Sequence, residues 1–273
     1  MTTVVITGAS TGIGLACAKA SLAKGHNVIA TARKPEDLTA LKALGAKTVA
    51  LELNEQSSVL EAAKQILALT DSHIDVLFNN AGYGLQVALE DTTWESLVDQ
   101  HTINVVGPIQ LTNQLLPALK KNSKLIFNGS VLGVITMAFR GPYSMSKYAL
   151  EAAVDAYRLE LEHEGIDVHL IQPGPIEANF RSNSLATLSR VLGNKKTRLN
   201  YRHHKARLEN PGNTKGTLPA SSVADIYIGI IEGSHKKTRY LVTQVAKSAA
   251  IAKRILGDKF HRIARNSEPV ELN

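Results

Sequence analysis

The chain has little cysteine, few aromatic residues and no long apolar run. Its single cysteine, Cys17, cannot form an internal disulfide or a zinc cluster, and its apolar helical surroundings predict a buried thiol. No run of about twenty apolar residues is present, so we expect no transmembrane helix. The start MTTVVITG leads directly into a strand pattern rather than a signal peptide. We therefore expect a cytoplasmic protein without a metal site.

Acidic residues are outnumbered by basic ones, which gives a formal net charge of +7. Much of the surplus falls in KKTRLNYRHHKAR (195–207) and between Lys236 and Arg265. The sequence has no zinc-finger spacing, no ribonucleoprotein motif and no basic helix leading into a zipper. We therefore expect no nucleic-acid partner. We interpret this positive charge as a surface that is solvated or that attracts the cofactor. Binding to an anionic membrane surface is the alternative.

Short apolar runs alternate with helical patterns along most of the chain. With 273 residues and 44% hydrophobic composition, the chain can form one full core. Runs rich in Val, Ile and Leu are typical of parallel strands buried on both faces. The predicted strands are Val4–Thr7, Val28–Thr31, Lys47–Leu51, Asp75–Phe78, Lys124–Phe127 and Asp167–Ile171. This pattern predicts a single α/β domain over 1–273, a doubly wound parallel sheet (Rossmann fold) that binds ligands at the carboxyl ends of its strands.

Two later segments depart from this alternation. Residues 173–219 are irregular, polar and basic, apart from a Leu185, Leu188, Leu192 stripe at helical spacing, and we expect them to form a lid over the crevice. Residues 245–265 place apolar side chains at helical spacing with Lys and Arg between them. This basic amphipathic helix is expected to pack against the body of the protein or a partner subunit, with an anionic membrane as the alternative.

A glycine-rich loop, TGASTGIG (7–14), follows the first predicted strand and precedes a helix. Glycines at such a turn let the backbone approach a pyrophosphate, whose charge meets the free amides of the helix N-terminus. The loop therefore predicts a dinucleotide site. Its expected cofactor contacts are Gly8, Ser10, Thr11, Gly12, Ile13 and Gly14.

The second predicted strand ends in a basic turn. Proteins that prefer NAD usually place an acid here for the adenosine ribose, but no Asp or Glu lies between Gly25 and Pro35. Arg33, with Lys34 beside it, can pair with a 2′-phosphate through charge-assisted hydrogen bonds. The sequence thus predicts NADP(H) rather than NAD(H), and a solvated turn without a cofactor role is the alternative.

Tyr143 and Lys147 lie four residues apart in GPYSMSKYAL, downstream of Ser130. On a helix this spacing puts both side chains on one face, where the ammonium favours the ionised form of the phenol. A tyrosine in that position can exchange protons near neutral pH.

Together these motifs resemble the short-chain dehydrogenase/reductase family over nearly the whole chain. The motifs that carry the resemblance are TGASTGIG (7–14), NNAG (79–82), Asn104 in INVVG, Ser130, YSMSK (143–147) and PGPI (173–176). The phrases GHNVIATARKPEDL, SKYALEA and LIQPGPI are similar to the subgroup of retinol and 17β-hydroxysteroid dehydrogenases and bacterial NADPH-dependent aldehyde reductases.

The resemblance implies a role for each catalytic candidate. Tyr143 would be the general acid for carbonyl reduction, or as phenolate the base for alcohol oxidation, with Lys147 and the oxidised nicotinamide lowering its pKa. Ser130 would donate to the substrate oxygen. Lys147 would also hold the nicotinamide ribose, and Asn104 would seat a water that links the lysine to solvent. Pro108, one turn later, could help to kink that helix.

Further cofactor contacts follow from the same resemblance. They are Tyr143, Lys147, Asn54, Asn80, Ala81, Gly82, Pro173 and Ile176. Two positions depart from the family pattern: Asn54 replaces a frequent Asp near adenine, and Thr11 stands where many NADP-dependent members have a basic residue. The 2′-phosphate prediction therefore depends mainly on Arg33.

The substrate is predicted from apolar residues near the expected reaction site. VLGVITMAFRGP (131–142), Phe180 and the leucine stripe favour a lipophilic aldehyde, ketone or secondary alcohol, with ordinary core packing as the alternative for each side chain. The resemblance implies a homodimer or homotetramer through the helices that hold Asn104 and Tyr143. An NADP(H)-sensing binding protein without catalysis is the alternative function, although the intact catalytic set argues against it.

Overall fold

The computed structural model describes residues 1–210 and 216–273 of the chain. The strands are β1 Thr3–Ile6, β2 Asn27–Ala32, β3 Lys47–Ala50, β4 Ile74–Asn79, β5 Leu119–Asn128, β6 Asp167–Gln172, β7 Leu199–Asn200, β8 Arg239–Leu241 and β9 Glu271–Leu272. The helices are α1 Gly12–Ala23, α2 Pro35–Ala43, α3 Gln56–Leu69, α4 Trp94–His101, α5 Gly107–Leu115, α6 Gly141–Glu160, α7 Phe180–Leu192, α8 Arg202–Glu209, α9 Ser221–Ile231, α10 Gln244–Leu256 and α11 Phe260–Ser267.

Seven strands form a parallel sheet in the order β3-β2-β1-β4-β5-β6-β8, which confirms the doubly wound fold. All six predicted strands are present, although β5 begins earlier than predicted, at Leu119. The edge strand β8 was not predicted, because its three residues, Arg-Tyr-Leu, form no apolar run. The strand order reverses at β1, between β2 and β4, and a crevice opens at such a point in the sheet.

Helices cover both faces of the sheet and bury two apolar cores. One core joins α3, α5 and α6 to the sheet, and the other joins α1 and α9 to its opposite face. In the second core Phe78 stacks on Tyr227 with their ring centroids 5.0 Å apart. Cys17 lies in the same core as a buried free thiol, as the sequence predicts.

The segment 173–219 contains two helices and a short strand, so the prediction of an irregular stretch without strands is wrong. It contains α7 and α8, and β7 pairs antiparallel with β9 near the C-terminus. The leucine stripe explains the difference, because Leu188 and Leu192 are buried in a third apolar cluster with Phe139 and Tyr201. The last part of the segment includes residues 211–215, which lie outside the described residues.

The C-terminal basic segment forms two helices rather than the single helix predicted over 245–265. Gly257 ends α10 with a positive φ of 55°, a conformation that favours glycine. Of the α10 side chains only Ala246 is buried and the larger apolar residues of α10 are exposed, whereas Phe260 at the start of α11 is buried against the body of the protein. Among residues 1–210 and 216–273 no helix is long and apolar enough to cross a membrane.

Candidate active site

The glycine-rich loop turns tightly between β1 and α1. Gly8 and Gly12 adopt positive φ angles of 63° and 54°, which only glycine accommodates readily. A Cβ on Gly8 would lie 2.8 Å from the Cα of Ala81. A Cβ on Gly14 would lie 2.3 Å from the carbonyl oxygen of Gly8, so α1 starts in direct contact with the loop. The glycines therefore keep the backbone open to a ligand and hold α1 close to it.

Asn80 fixes this loop to the ends of the neighbouring strands. Its Nδ2 donates to the carbonyl oxygens of Thr7 at 2.9 Å and Gly8 at 3.1 Å. Its Oδ1 accepts a hydrogen bond from Asn128 Nδ2 at 2.9 Å. Thr7 Oγ1 in turn accepts from the backbone amides of Asn80 and Ala81, both at 3.0 Å. The loops after β1, β4 and β5 are thus held side by side.

A cleft of about 590 Å³ opens along these loops. The predicted cofactor residues that line it are Gly8, Ser10, Thr11, Gly12, Ile13, Arg33, Asn54, Asn80, Ala81 and Gly82. Its size, the glycine backbone at the start of α1 and the cation at its far end fit a dinucleotide.

Five predicted cofactor residues do not line the cleft: Gly14, Tyr143, Lys147, Pro173 and Ile176. Gly14 packs α1 against the loop. The carbonyl oxygen of Pro173 accepts from the Val131 amide at 2.9 Å, and Ile176 forms a parallel bridge with Leu218. The structure therefore gives Gly14, Pro173 and Ile176 supporting positions behind the cleft wall.

The adenosine end of the cleft carries both signs of charge. The Arg33 side chain is 65% exposed, and its Nη1 lies 3.7 Å from Glu52 Oε2. Lys34 and Asp37 also line this end. Asn54 Nδ2 donates to Asp99 Oδ1 at 3.3 Å. Glu52 and Asp37 were missed by sequence reasoning, since neither lies in the turn where an acid was sought.

The first turns of α6 bring the catalytic candidates together. Tyr143 and Lys147 are both buried, and Lys147 Nζ lies 5.7 Å from the centre of the Tyr143 ring. Lys147 Nζ donates to the carbonyl oxygen of Asn128 at 2.7 Å. Ser130 follows β5, accepts from the Leu132 amide at 3.1 Å and shares a hydrogen bond with the Tyr143 hydroxyl. A hydroxyl, a phenol and an ammonium therefore meet at one place.

Burial shifts the two titrating groups of this site in opposite directions. It raises the pKa of Tyr143 to about 12, against the lowering effect of the Ser130 hydrogen bond. It lowers the pKa of Lys147 to about 8, against the raising effect of the Glu151 carboxylate. The predicted lowering of the Tyr143 pKa by Lys147 is not what the structure shows, because desolvation of the phenol is the largest effect.

Asn104 lies in a π-helical segment, Thr102–Val106, between α4 and α5. Pro108 has no N–H to donate to the Asn104 carbonyl, which explains the wider helical turn. The buried side chain donates to the Tyr83 carbonyl at 2.9 Å and to Ser146 Oγ at 3.1 Å, and accepts from the Tyr83 amide at 3.0 Å. Asn104 thus joins the loop after β4 to α6, and both hydrogens of its amide are used.

The helix α7 supplies residues that sequence reasoning did not assign to the cleft. Asn183, Thr187 and Arg190 line it from one helical face. These residues are four and three positions apart, and this helical spacing is the sequence signal that could have placed them on one face. Phe180, which was predicted near the substrate, has its ring centre 5.3 Å from that of Tyr143. A Cβ on Gly84 would lie 2.4 Å from the Phe180 ring, so Gly84 provides the space for this contact.

Similar proteins are found both by sequence and by structure. A sequence model of the short chain dehydrogenases matches residues 2–188. The chain is 37% identical over 256 residues to the uncharacterized oxidoreductase YbbO of Escherichia coli (strain K12), covering 93% of this chain and 90% of that protein. It is 35% identical over 183 residues to the 3-ketodihydrosphingosine reductase of Bacteroides thetaiotaomicron, covering 66% of each.

Two solved structures share the fold at lower identity. A short chain dehydrogenase/reductase from Burkholderia phymatum in complex with NAD superposes with a TM-score of 0.81 at 19% identity, covering 94% of each chain. An alcohol dehydrogenase from the archaeon Thermococcus sibiricus complexed with 5-hydroxy-NADP superposes with a TM-score of 0.73 at 22% identity, covering 90% of this chain and 97% of that one.

Proposed function

The chain belongs to the short-chain dehydrogenase/reductase family and is an oxidoreductase that uses a nicotinamide cofactor, and from this premise we propose that it interconverts a lipophilic carbonyl compound and its alcohol with NADP(H). The observation that carries the proposal is the meeting of Ser130, Tyr143 and Lys147 beside the cleft formed by the glycine-rich loop. A protein that only senses the cofactor has no use for this proton-transfer group.

In the proposed reaction Tyr143 holds the proton that reaches the substrate oxygen. A phenol whose pKa is raised to about 12 is protonated at neutral pH, so it can act as the general acid for reduction. The Ser130 hydroxyl lies at the same point and orients the oxygen. Lys147, whose pKa is lowered to about 8, can give up a proton and restore the phenol. The nicotinamide, when bound, supplies or accepts the hydride.

Asn104 is proposed to connect this site with solvent. Its side chain is held by Tyr83 and Ser146, so the water expected between Lys147 and solvent would bind the backbone of the π-helical segment. π-helical turns often lie at functional sites because they disturb the regular pairing of backbone groups.

The preference for NADP(H) is supported by Arg33 and Lys34 at the adenosine end of the cleft. Arg33 is largely exposed, and its contact with Glu52 is long, so the guanidinium can turn to a phosphate. A 2′-phosphate would also face the carboxylates of Glu52 and Asp37, and attraction to Arg33 and Lys34 would offset this repulsion.

A lipophilic substrate is supported by the aromatic contact above the reaction site. Phe180 packs on Tyr143 from the lid, so the surface next to the phenol is apolar. The Bacteroides relative is, by its name, a reductase of 3-ketodihydrosphingosine. We propose that the substrate is an aldehyde, ketone or secondary alcohol attached to an apolar body.

The decisive experiment is NADPH consumption by the purified protein with aldehydes and ketones of increasing apolar size, with Tyr143→Phe as the comparison. We expect turnover that rises with apolar size and falls at least about a hundredfold in Tyr143→Phe, because general acid catalysis contributes about 10²- to 10⁴-fold. Binding of NADPH, measured by calorimetry, should persist in the variant. Tight binding by the unaltered protein without any turnover would instead support the sensing alternative.

We also propose a cytoplasmic homodimer formed by the helices around the site. Val98, Val106, Met145 and Tyr148 are exposed apolar residues on α4, the π-helical segment and α6. Sedimentation velocity of the unaltered protein should show a dimer. The double variant Met145→Lys with Val106→Lys should be a monomer, because the introduced lysines of the two subunits would be buried close to each other in the interface. A dimer that survives both substitutions would place the interface elsewhere.

A further inference from the structure

The last two helices turn apolar side chains toward solvent. In α10, Ile251 is 58% exposed and Ile255 is 75% exposed, and in α11 Ile263 is 51% exposed. At 3.6 residues per turn Val245, Ile251, Ile255 and Leu256 fall within an arc of about 140°, on the side away from Ala246. We call these four residues of α10 (Val245, Ile251, Ile255 and Leu256), together with the exposed Ile263 of α11, the C-terminal apolar face.

The same two helices and their connection are rich in cations. The basic residues of α10, α11 and their connection are Lys247, Lys253, Arg254, Lys259, Arg262 and Arg265. Asp258 is the one acid of the same stretch, and it lies 3.8 Å from Lys253. The other five cations form no salt bridge with any residue of the described ranges. The helix pair therefore combines exposed apolar side chains with a large uncompensated positive charge.

The orientation of the helix pair is fixed by contacts at both ends. At the start of α10, Thr243 Oγ1 accepts from the Ala246 amide at 3.1 Å. After α11, the buried Glu268 carboxylate binds Arg140, His204 and Arg207. The helix pair is therefore attached to the body of the protein at both ends, and in this arrangement its large apolar side chains, apart from Phe260, are exposed.

A second cleft, of about 470 Å³, extends the cationic surface from α10 to the edge of the sheet. Its lining includes Lys247 of α10 and, from the segment before and within β8, His235, Lys237 and Arg239. Arg239 is paired with Glu151 and Asp155, which leaves Lys237 and Lys247 as the cations available to an anion in this cleft. The cleft is large enough for a phosphate group.

We propose that the C-terminal apolar face and its surrounding cations bind the surface of an anionic phospholipid bilayer. Apolar side chains that enter the headgroup region, with cations beside them on the lipid phosphates, are the recognised chemistry of interfacial helices. A second copy of the same face fits poorly, because a two-fold contact would oppose like charges. Nucleic acid offers no apolar region for the three exposed isoleucines. A bilayer matches both the charge and the apolar residues.

The proposal is tested by flotation of the full-length protein with vesicles. We expect binding to vesicles of phosphatidylcholine with phosphatidylglycerol, weaker binding in high salt, and little binding to phosphatidylcholine alone. Ile251→Ser with Ile255→Ser, and separately Arg254→Gln with Arg262→Gln, should each lower the partition coefficient at least about tenfold.

Matched controls are available elsewhere on the surface. Leu159→Ser removes an exposed apolar residue of α6, and Lys19→Gln with Lys64→Gln removes two exposed cations of α1 and α3. These variants should bind vesicles like the unaltered protein. All variants should keep their rate with a water-soluble carbonyl substrate, so loss of vesicle binding is distinguishable from loss of catalysis. No vesicle binding, equal binding to neutral vesicles, or equal losses in the control variants would overturn the proposal.

Discussion

Single residues in this site have properties set by their depth in the protein. Tyr143 and Lys147 are buried together, and desolvation disfavours the charged form of each. The phenol therefore stays protonated, and the ammonium loses its proton more easily than a lysine in water. Opposite shifts of this kind suit a pair in which one group donates and the other replenishes.

The titration of Lys147 predicts a pH dependence. Below its pKa of about 8 the amine is charged, and above that value it is neutral, so kcat/KM for carbonyl reduction should fall as the pH rises through about 8. In Lys147→Arg the guanidinium stays charged, and this fall should disappear, even if the maximal rate is lower. The measurement is kcat/KM from about pH 6 to about pH 10. A fall that is identical in the variant would assign the titration to another group.

Arg33 gives a second prediction at this scale. Arg33→Ala should raise the KM for NADPH at least about tenfold and leave the KM for NADH nearly unchanged, because the lost charge-assisted hydrogen bonds involve only the 2′-phosphate. Lys42→Ala is a suitable control, since it removes a cation from the far end of α2. Equal increases for both cofactors would show that Arg33 supports the turn rather than the phosphate.

At the scale of elements, the contact of α1 with the glycine-rich loop decides the geometry of the cleft. Gly14 allows the first turn of α1 to touch both Gly8 and Asn80, and Asn80 carries the hydrogen bonds that join three loops. The helix N-terminus is thereby held where an anionic cofactor would meet its amides.

Gly14→Ala should damage both stability and cofactor binding. Its Cβ would lie 2.3 Å from the Gly8 oxygen and 2.5 Å from Asn80 Nδ2, so the loop must move, at a cost of about 1–3 kcal/mol in the free energy of unfolding. The Kd for NADPH should rise by about tenfold or more.

Gly229→Ala is the matched control within α9. Its Cβ would meet the ring of His235 at 2.7 Å, so this exposed ring must leave its stacking contact with Tyr240, which is a surface interaction. Alanine also favours a helix over glycine by about 1 kcal/mol. Urea unfolding should therefore show little decrease, or an increase, in the free energy of unfolding of Gly229→Ala. If the Gly14→Ala protein were as stable as this control and bound NADPH as tightly, the result would contradict the proposed role of the α1 contact.

Across the whole molecule, the C-terminal segment is tied to the lid and to the catalytic helix. Glu268 and Arg140 are each only 3% exposed and form an ion pair. Arg207 Nη1 of α8 donates to Glu268 Oε2 at 2.7 Å, and the His204 ring bonds to the other carboxylate oxygen. Arg140 immediately precedes α6, which carries Tyr143. One carboxylate thus joins the end of the chain to the active site.

Removing this charge should destabilise the protein strongly. Glu268→Gln leaves Arg140 as an uncompensated buried cation, which is expected to cost about 3–5 kcal/mol in the free energy of unfolding. Glu271→Gln removes an exposed carboxylate of the same segment, 3.9 Å from Arg202, and should cost at most about 1 kcal/mol. Urea unfolding of both variants measures the difference. Equal midpoints would show that the buried cluster contributes no more than a surface pair.

Much of the architecture followed from local patterns. The six predicted strands, the loop at 7–14 and the one-face placement of Tyr143 and Lys147 are all in the structure. Apolar periodicity and glycine spacing are properties of a few neighbouring residues, so they can be recognised before the chain is folded. The edge strand β8 lacked such a pattern, and of the two helices between residues 173 and 219 only α7 had a recognisable one, its leucine stripe.

The sequence by itself determined the alternation of strands and helices, the position of the glycine-rich loop and the residue types of the candidate catalytic group. Only the tertiary structure decided that Glu52 faces Arg33, that Tyr83 and Ser146 hold Asn104, and that the C-terminal helices expose their apolar side. It also decided that burial raises the pKa of Tyr143. The physical reason is that desolvation and ion pairing depend on segments far apart in the chain, whose meeting is set by packing and not by local spacing.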